Sequence, residues 1–186
     1  MKDMEKKYKL TEETINVNGR TLYRIEALKD FNNVIKGGKG GFIEKEDNLS
    51  QSGNCWVYND AKVYGDARVY GDARVYDNAN VYGSAQVYGD ARVYGDARVC
   101  EMVEVFGHAE ICGDAVIASN SDYIVFKNWW SSGRYFTWTK DNDMWRVGCF
   151  HGTGKELIEK AYKDSELSGR EYERVVKYVE SILKFQ

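Results

Sequence analysis

A six-residue repeat occupies the middle of this 186-residue chain and leaves few folds open to it. From Val57 the sequence runs through VYNDAK, VYGDAR, VYGDAR, VYDNAN, VYGSAQ, VYGDAR and VYGDAR, then through the weaker units VCEMVE, VFGHAE, ICGDAV and IASNSD. Gly53-Asn54-Cys55-Trp56 fits the same phase, so the array starts near residue 51. A short fixed period is typical of a solenoid, in which each unit packs against its neighbours.

Each repeat unit places an aliphatic residue first and a small residue fifth. In Ala67-Arg68-Val69-Tyr70 the side chains are therefore expected to point alternately inward and outward along a short strand. The Gly-Asp pair that follows suits a tight corner, because glycine tolerates positive φ and Asp can hydrogen-bond to the following backbone. The pattern predicts short strands whose Val and Ala side chains fill a narrow core.

The units of residues 51–122 resemble the hexapeptide repeats of left-handed parallel β-helix proteins, in which three hexads complete a triangular coil. This resemblance implies left-handed winding, whereas the general rule for parallel crossovers predicts right-handed winding. The glycine stands third in each unit, while the acyltransferases of that class usually have it second, which weakens a direct transfer of their function. The tyrosine-rich units and their flanks, GGFIEKEDNLSQSGNCWVY and MWRVGCFHGTGKEL, also resemble a group of phage and prophage proteins with Tyr-Gly-Asp-Ala repeats.

Residues 18 apart in the sequence share a face of the solenoid if three hexads form one coil. One face carries tyrosines and arginines that we take as a candidate binding surface: Tyr58, Tyr76, Tyr94, Arg74 and Arg92. The other two faces carry Tyr64 with Tyr82, and Tyr70 with Tyr88 and Phe106. These ladders are interpreted either as strand-surface residues that stack on one another or as an interface, since exposed Tyr and Arg are favoured in protein contacts.

The region before the array contains a hairpin signal and a glycine-rich stretch. Asn18-Gly19 lies between two alternating runs and predicts a β-hairpin near residues 13–26. The stretch 37–41 lacks the Gly-Lys-Ser/Thr ending of a phosphate-binding loop, so we expect a flexible connection there. The predicted fold is mainly β, with a hairpin and connection over 1–50, a β-helix over 51–122 and an α+β cap over 123–186.

The region after the array is rich in aromatic residues, with four of the five tryptophans between positions 123 and 150. Alternation predicts two strands around 134–139 and 144–148, and two capping boxes predict helices opened by Thr153 and Ser168. The region is interpreted either as a cap that closes the solenoid or as a pocket for a planar or anionic ligand. The candidate ligand-binding residues are Trp129, Trp130, Arg134, Trp138, Trp145 and Arg146.

Composition and charge argue against several classes of protein. A net charge of −3 provides no overall cationic field for nucleic acid, and no stretch approaches the roughly 20 apolar residues of a membrane span. With no signal peptide recognised at the start, we expect a cytoplasmic protein.

The four cysteines form no Cys-x-x-Cys pair and are expected to be reduced thiols. Two widely separated histidines argue against a zinc site such as that of a hexapeptide carbonic anhydrase, so no metal site is predicted.

The histidines also bear on catalysis, because hexapeptide acyltransferases use a histidine as general base in a cleft between subunits. His108 stands in a corner slot that elsewhere holds Asp or Asn, which fits a tolerated turn substitution. The sequence therefore favours a homo-oligomeric, non-catalytic binding protein without a cofactor. It would sequester an anionic or nucleotide-like ligand, or block a host protein as a phage counter-defence. The alternative is a hexapeptide-type acyltransferase that uses acetyl-CoA and His108.

Overall fold

The computed structural model describes residues 5–130 and 132–183 and is a mainly β protein built around a parallel β-solenoid. Within these residues the solenoid contains eleven two-residue strands. They are Trp56–Val57 (β4), Lys62–Val63 (β5), Arg68–Val69 (β6), Arg74–Val75 (β7), Asn80–Val81 (β8), Gln86–Val87 (β9), Arg92–Val93 (β10), Arg98–Val99 (β11), Glu104–Val105 (β12), Glu110–Ile111 (β13) and Val116–Ile117 (β14).

The strands pair in parallel with a spacing that confirms three hexads per coil. Arg74 faces Arg92 and Val75 faces Val93, so strands stack 18 residues apart. We name the three faces after their tyrosines: the Tyr76 face (β4, β7, β10, β13), the Tyr64 face (β5, β8, β11, β14) and the Tyr88 face (β6, β9, β12). Strands that follow one another along the chain therefore lie on different faces. The residues that stack in a ladder come from successive coils and are 18 positions apart.

The core of the solenoid consists of the first and fifth residues of each hexad. Val75, Val93 and Ala85 are fully buried, as are their counterparts in the other coils. The corners need positive φ, and Gly95 adopts φ +70°, where an added Cβ would lie 2.9 Å from the oxygen of Gly113. Glycine therefore serves both the turn and the close stacking of consecutive coils.

The outward aromatic side chains form the predicted ladders. Tyr76 and Tyr94 stack with ring centroids 4.8 Å apart and an interplanar angle of 3°. On the Tyr88 face the stack continues from Tyr88 to Phe106 at 5.4 Å. Stacking at this spacing matches the distance between coils, whereas Tyr58 meets Tyr76 edge-on, with ring centroids 6.5 Å apart.

The N-terminal region is a hairpin joined to the solenoid by a third strand. Strands Tyr8–Val17 (β1) and Arg20–Ala27 (β2) pair through the Asn18-Gly19 turn, both residues having positive φ, which confirms the predicted hairpin. Strand Lys39–Ile43 (β3) pairs antiparallel with β2 and parallel with β5, so parallel pairing begins at Phe42, well before residue 51. A short 3₁₀ helix, Glu46–Asn48, follows.

The expectation of a flexible connection at 37–41 is wrong. Gly41 is buried in β3, and a Cβ there would lie 2.5 Å from the oxygen of Ala61 and 2.7 Å from Cγ1 of Val57. The glycines therefore allow the backbone of β3 to approach the first coil. The hairpin also covers part of the Tyr64 face, where Leu22 and Tyr64 are both buried in one cluster.

The C-terminal region is a four-stranded antiparallel sheet covered by two helices. The sheet contains Tyr123–Lys127 (β15), Tyr135–Thr139 (β16), Met144–Val147 (β17) and Phe150–Gly152 (β18), after a 3₁₀ helix at Asn120–Asp122. Strands β16 and β17 confirm the predicted pair, and β15 and β18 were missed. Helix Gly154–Asp164 (α1) has the predicted Thr153 capping box. Helix Glu166–Leu183 (α2) begins before the predicted Ser168, because the Ser165 hydroxyl accepts the Ser168 N–H.

The sheet docks on the last coil and covers exposed backbone donors there. Thr137 Oγ1 accepts the backbone N–H of Glu110 at 3.0 Å, and Asp141 accepts that of Val116 at 3.2 Å. An unpaired strand edge is a site for unwanted pairing, so these contacts stabilise the end of the solenoid.

Among the described residues, no helix is both long and apolar enough to cross a membrane.

The four cysteines differ in accessibility, which gives a first testable prediction. Cys55, Cys100 and Cys112 are buried and Cys149 is exposed. Burial raises the pKa of the Cys55 and Cys112 thiols, so a smaller fraction is thiolate at pH 8 than for an ordinary thiol. We expect one thiol of the native protein to react rapidly with Ellman's reagent and the fast phase to vanish in Cys149→Ser. Two or more fast thiols in the folded protein would contradict the burial.

Candidate functional site

A cleft lies at the junction between the Tyr76 face and the C-terminal sheet. We name it the seam cleft; its volume is about 380 Å³, and its lining includes Asp90, Arg92, His108, Glu110, Arg134 and Tyr135. His108 comes from the corner between β12 and β13, and Tyr135 from the first position of β16. The cleft therefore exists only because the cap docks beside the corner that carries the histidine.

The imidazole of His108 is held between an aromatic ring and a carboxylate. Its ring stacks on Tyr135 with centroids 4.2 Å apart, and Nδ1 lies 3.7 Å from Oδ2 of Asp90. Asp90 occupies the equivalent corner one coil earlier, which places its carboxylate beside the histidine. The side chain of His108 is 48% exposed, so the imidazole faces the cleft and solvent. A carboxylate at Nδ1 favours the tautomer in which Nε2 can accept a proton.

Glu110 pairs with one arginine of the cap and with one arginine of the solenoid. Arg146 Nε lies 3.0 Å from Glu110 Oε2, and Arg92 Nη1 lies 3.3 Å from Oε1. Burial opposes the charge of Arg146, but the hydrogen bond to Glu110 and the charge interactions with Tyr94, Glu110 and Cys112 together raise the arginine pKa. The guanidinium of Arg146 also lies over the Tyr94 ring, 5.6 Å from its centroid. Arg146 is thus a structural contact between cap and solenoid, and the exposed arginines Arg92 and Arg134 line the seam cleft.

A second concavity continues along the Tyr76 face, and we name it the arginine groove. Its volume is about 240 Å³, and it is lined by Asn33, Tyr58, Asn59, Arg74, Tyr76 and Arg92. Arg92 lines both the groove and the seam cleft, so the two are neighbours. Across the described part of the chain, no carboxylate forms an ion pair with Arg74, whose charge is therefore available to an anion.

A third concavity lies on the other side of His108, and we name it the apolar cleft. Its volume is about 590 Å³, and its apolar walls come from Phe106, Tyr123, Ile124, Val125 and Tyr135. Glu104 and Asn120 are the polar side chains of its lining beside His108. His108 and Tyr135 belong to both the seam cleft and the apolar cleft. The histidine therefore stands where a cleft lined by charged side chains of both signs meets an apolar cleft.

The structure brings together only some of the predicted site residues. Tyr58, Tyr76, Arg74 and Arg92 line the arginine groove, and Arg134 and His108 line the seam cleft, whose neighbour Tyr94 contacts Arg146. The tryptophans lie in different environments. Trp138 and Trp145 are 1% and 2% exposed in the core of the cap, Trp130 packs against Phe136 and Tyr172, and Trp129 is 82% exposed.

Sequence reasoning missed Asp90, Tyr135 and Glu104. Asp90 could have been found, because it precedes His108 by the 18-residue spacing that stacks one corner on the next. Tyr135 and Glu104 gave no such signal, since their roles depend on where the cap docks.

Comparison with known proteins supports the repeat. Residues 61–75, 73–87 and 85–101 match the family described as YdcK Beta solenoid repeat. This chain is a repeat β-solenoid protein. A segment of 38 residues is 53% identical to the protein named "Uncharacterized acetyltransferase YdcK" of Escherichia coli (strain K12), covering 20% of this chain and 12% of that protein. The match thus spans about an eighth of the relative's length.

These matches correct the function predicted above. The main prediction, a non-catalytic binding protein, is wrong on this comparison, because a relative that shares the repeats is named an acetyltransferase and the repeats are of the hexapeptide type. The matches favour the stated alternative. They do not bear on the resemblance to phage and prophage proteins, and the predicted self-association, partners and cytoplasmic location stay predictions.

Proposed function

We propose that this chain is a hexapeptide-type acyltransferase that uses acetyl-CoA as donor and His108 as general base. The observation that carries the proposal is the place of His108, which lines both the seam cleft and the apolar cleft, with a carboxylate 3.7 Å from its Nδ1. The name of the Escherichia coli relative supports the same reaction class.

The described residues supply the parts that such a reaction needs from the protein. Acetyl-CoA brings the thioester that is to be cleaved. His108 accepts the proton of the acceptor group as that group attacks, and Asp90 stabilises the imidazolium that forms. Stacking on Tyr135 fixes the plane of the imidazole. The distance of 3.7 Å is longer than a hydrogen bond, and such contacts commonly tighten when substrate binds.

The arginine groove suits the phosphate groups of coenzyme A. Arg74 and Arg92 present two guanidinium groups on one face, and guanidinium binds phosphate oxygens with charge-assisted hydrogen bonds. The rings of Tyr58 and Tyr76 beside them offer apolar surface for the rest of the donor. The residues present therefore fit acetyl-CoA as the donor.

Removal of Arg74 gives the second testable prediction. We expect Arg74→Ala to raise the KM for acetyl-CoA about ten-fold while kcat stays near the native value, because the guanidinium binds the donor without touching the reacting atoms. The matched control is Arg98→Ala, an exposed arginine at the equivalent strand position of the Tyr64 face. Initial rates of coenzyme A release, measured by chromatography, give both constants. An unchanged KM in Arg74→Ala would place the donor elsewhere.

The proposed reaction is tested by incubating the purified chain with acetyl-CoA and a panel of amine and hydroxyl acceptors. We expect an acetylated acceptor, identified by mass spectrometry, with release of one equivalent of coenzyme A. Calorimetric titration with acetyl-CoA is the parallel measurement of donor binding. The proposal fails if no acceptor is acetylated and acetyl-CoA does not bind.

A further inference from the structure

The apolar cleft contains one carboxylate, that of Glu104, beside the candidate base. Glu104 lies on β12, next to the corner that carries His108, and both side chains line the cleft. The remaining walls are mostly apolar and aromatic, with Phe106 51% exposed toward solvent. A cleft of this composition suits a molecule with an apolar body and one polar group.

The ladder of the Tyr88 face does not require a negative charge at position 104. Tyr88 donates a hydrogen bond to Glu104 Oε2 at 2.9 Å. One coil earlier, Tyr70 donates the equivalent bond to Gln86 Oε1 at 3.0 Å. A neutral amide therefore satisfies the same structural position, and the carboxylate of Glu104 is not explained by the stacking of coils.

The backbone of Glu104 is fixed by two hydrogen bonds, and its carboxylate has an oxygen with which a ligand can hydrogen-bond. The Glu104 N–H donates to Asn120 Oδ1 at 2.8 Å, and Tyr123 donates to the Glu104 carbonyl at 2.8 Å, so the backbone of this residue is fixed on both sides. Over the residues that the structure describes, Tyr88 is the side chain that donates to the carboxylate, and it uses Oε2. Oε1 can therefore accept a hydrogen bond from a ligand, and a cation is the ligand type that a carboxylate prefers.

From these contacts we infer that the acceptor substrate is a primary amine on an apolar or aromatic body, bound in the apolar cleft with its ammonium group at Glu104. The inference rests on the proposed acetyl transfer and names its second substrate. The apolar body lies against Phe106 and the β15 side chains, and the nitrogen lies toward His108.

The reaction balances for such an acceptor. The ammonium group first loses a proton to solvent, and the neutral nitrogen attacks the thioester carbonyl carbon while His108 takes a second proton from that nitrogen. The carbon–sulfur bond breaks, and the departing thiolate receives the proton from His108. The products are an N-acetyl amine and free coenzyme A, with no oxidant or reductant involved.

The test compares three acceptors that separate charge from apolar character. They are phenethylamine, phenethyl alcohol, which has the same body without the charge, and glucosamine, which has the amine on a polar body. With native protein and saturating acetyl-CoA, we expect kcat/KM for phenethylamine to be at least about ten-fold above both others. A preference for glucosamine or for the alcohol would overturn the inference and leave the acetyl-transfer proposal standing.

Glu104→Gln tests the residue itself, because Gln86 shows that an amide fits this ladder position. We expect the variant to lower kcat/KM for phenethylamine about ten-fold and to change the value for phenethyl alcohol by less than about two-fold. The control is Glu101→Gln, on the preceding corner and outside the cleft lining. An equal effect on the amine and the alcohol, or no effect, would overturn the assignment to Glu104.

A binding measurement decides the inference independently of turnover. Calorimetric titration of phenethylamine is expected to show binding to the native chain that weakens about ten-fold in Glu104→Gln. If the amine binds in this way but no acceptor is acetylated, the binding site stands and the proposed reaction fails. If phenethylamine does not bind, the inference is overturned.

Discussion

Replacing His108 with alanine is expected to lower kcat for acetyl transfer by about 10²- to 10⁴-fold, the usual contribution of a general base. The loss is expected because alanine offers no proton acceptor, and the neighbouring carboxylate of Glu110 is already paired with Arg92 and Arg146. The KM for acetyl-CoA is expected to stay near the native value, since the arginines that suit the donor are untouched.

His151→Ala is the matched control for this experiment, because it removes the second histidine of the chain at a position outside the lining of the seam cleft. Its kcat is expected to stay within about two-fold of the native value. Asp90→Asn is expected to give an intermediate loss, since the amide keeps the shape of the corner and removes the charge beside Nδ1. Thermal melting of all three variants separates loss of catalysis from loss of fold. Native-like turnover in a folded His108→Ala protein would contradict the role of His108.

The solenoid was predictable because its signal is local and repeated. A valine or isoleucine every six residues, with alanine four positions later, specifies both the buried core and the three faces, and the ladders of Tyr76 with Tyr94 and Tyr88 with Phe106 follow from arithmetic. Asn18-Gly19 likewise predicts its own turn, since both residues tolerate positive φ. These features depend on neighbours in sequence or on a fixed spacing of 18 residues.

The candidate site was less predictable because it depends on contacts between distant segments. Nothing in the sequence around Tyr135 indicates that its ring stacks on His108. The apolar cleft likewise depends on the position of β15 beside the Tyr88 face. The tryptophans left two interpretations open for a related reason. Aromatic density fits a ligand pocket or a small hydrophobic core equally well, and the helices α1 and α2 bury Trp138 and Trp145 in the second way.

The first coil also depends on a distant segment, because the hairpin and the loop after it cover its open end. Trp56 is 1% exposed and packs edge-on against Tyr8 and Phe31, with ring centroids 6.0 Å and 5.3 Å away. Gly40 passes so close that an added Cβ would lie 2.7 Å from the indole. The indole therefore fills the space between the hairpin, β3 and the first hexads, and no neighbouring side chain can replace its volume without rearrangement.

Trp56→Ala is accordingly expected to reduce the free energy of unfolding by about 3–5 kcal/mol, the range for deleting a large buried aromatic side chain. In a chain of this size that loss lowers the melting temperature by roughly 10 °C. Trp129→Ala removes the same side chain from a position that is 82% exposed, and it is expected to change stability by less than about 0.5 kcal/mol. Urea unfolding monitored by circular dichroism measures both variants on one scale. Equal stabilities would mean that the hairpin does not close the solenoid through Trp56, whereas a selective loss in Trp56→Ala shows that the packing of Trp56 against the N-terminal segments stabilises this end of the repeat array.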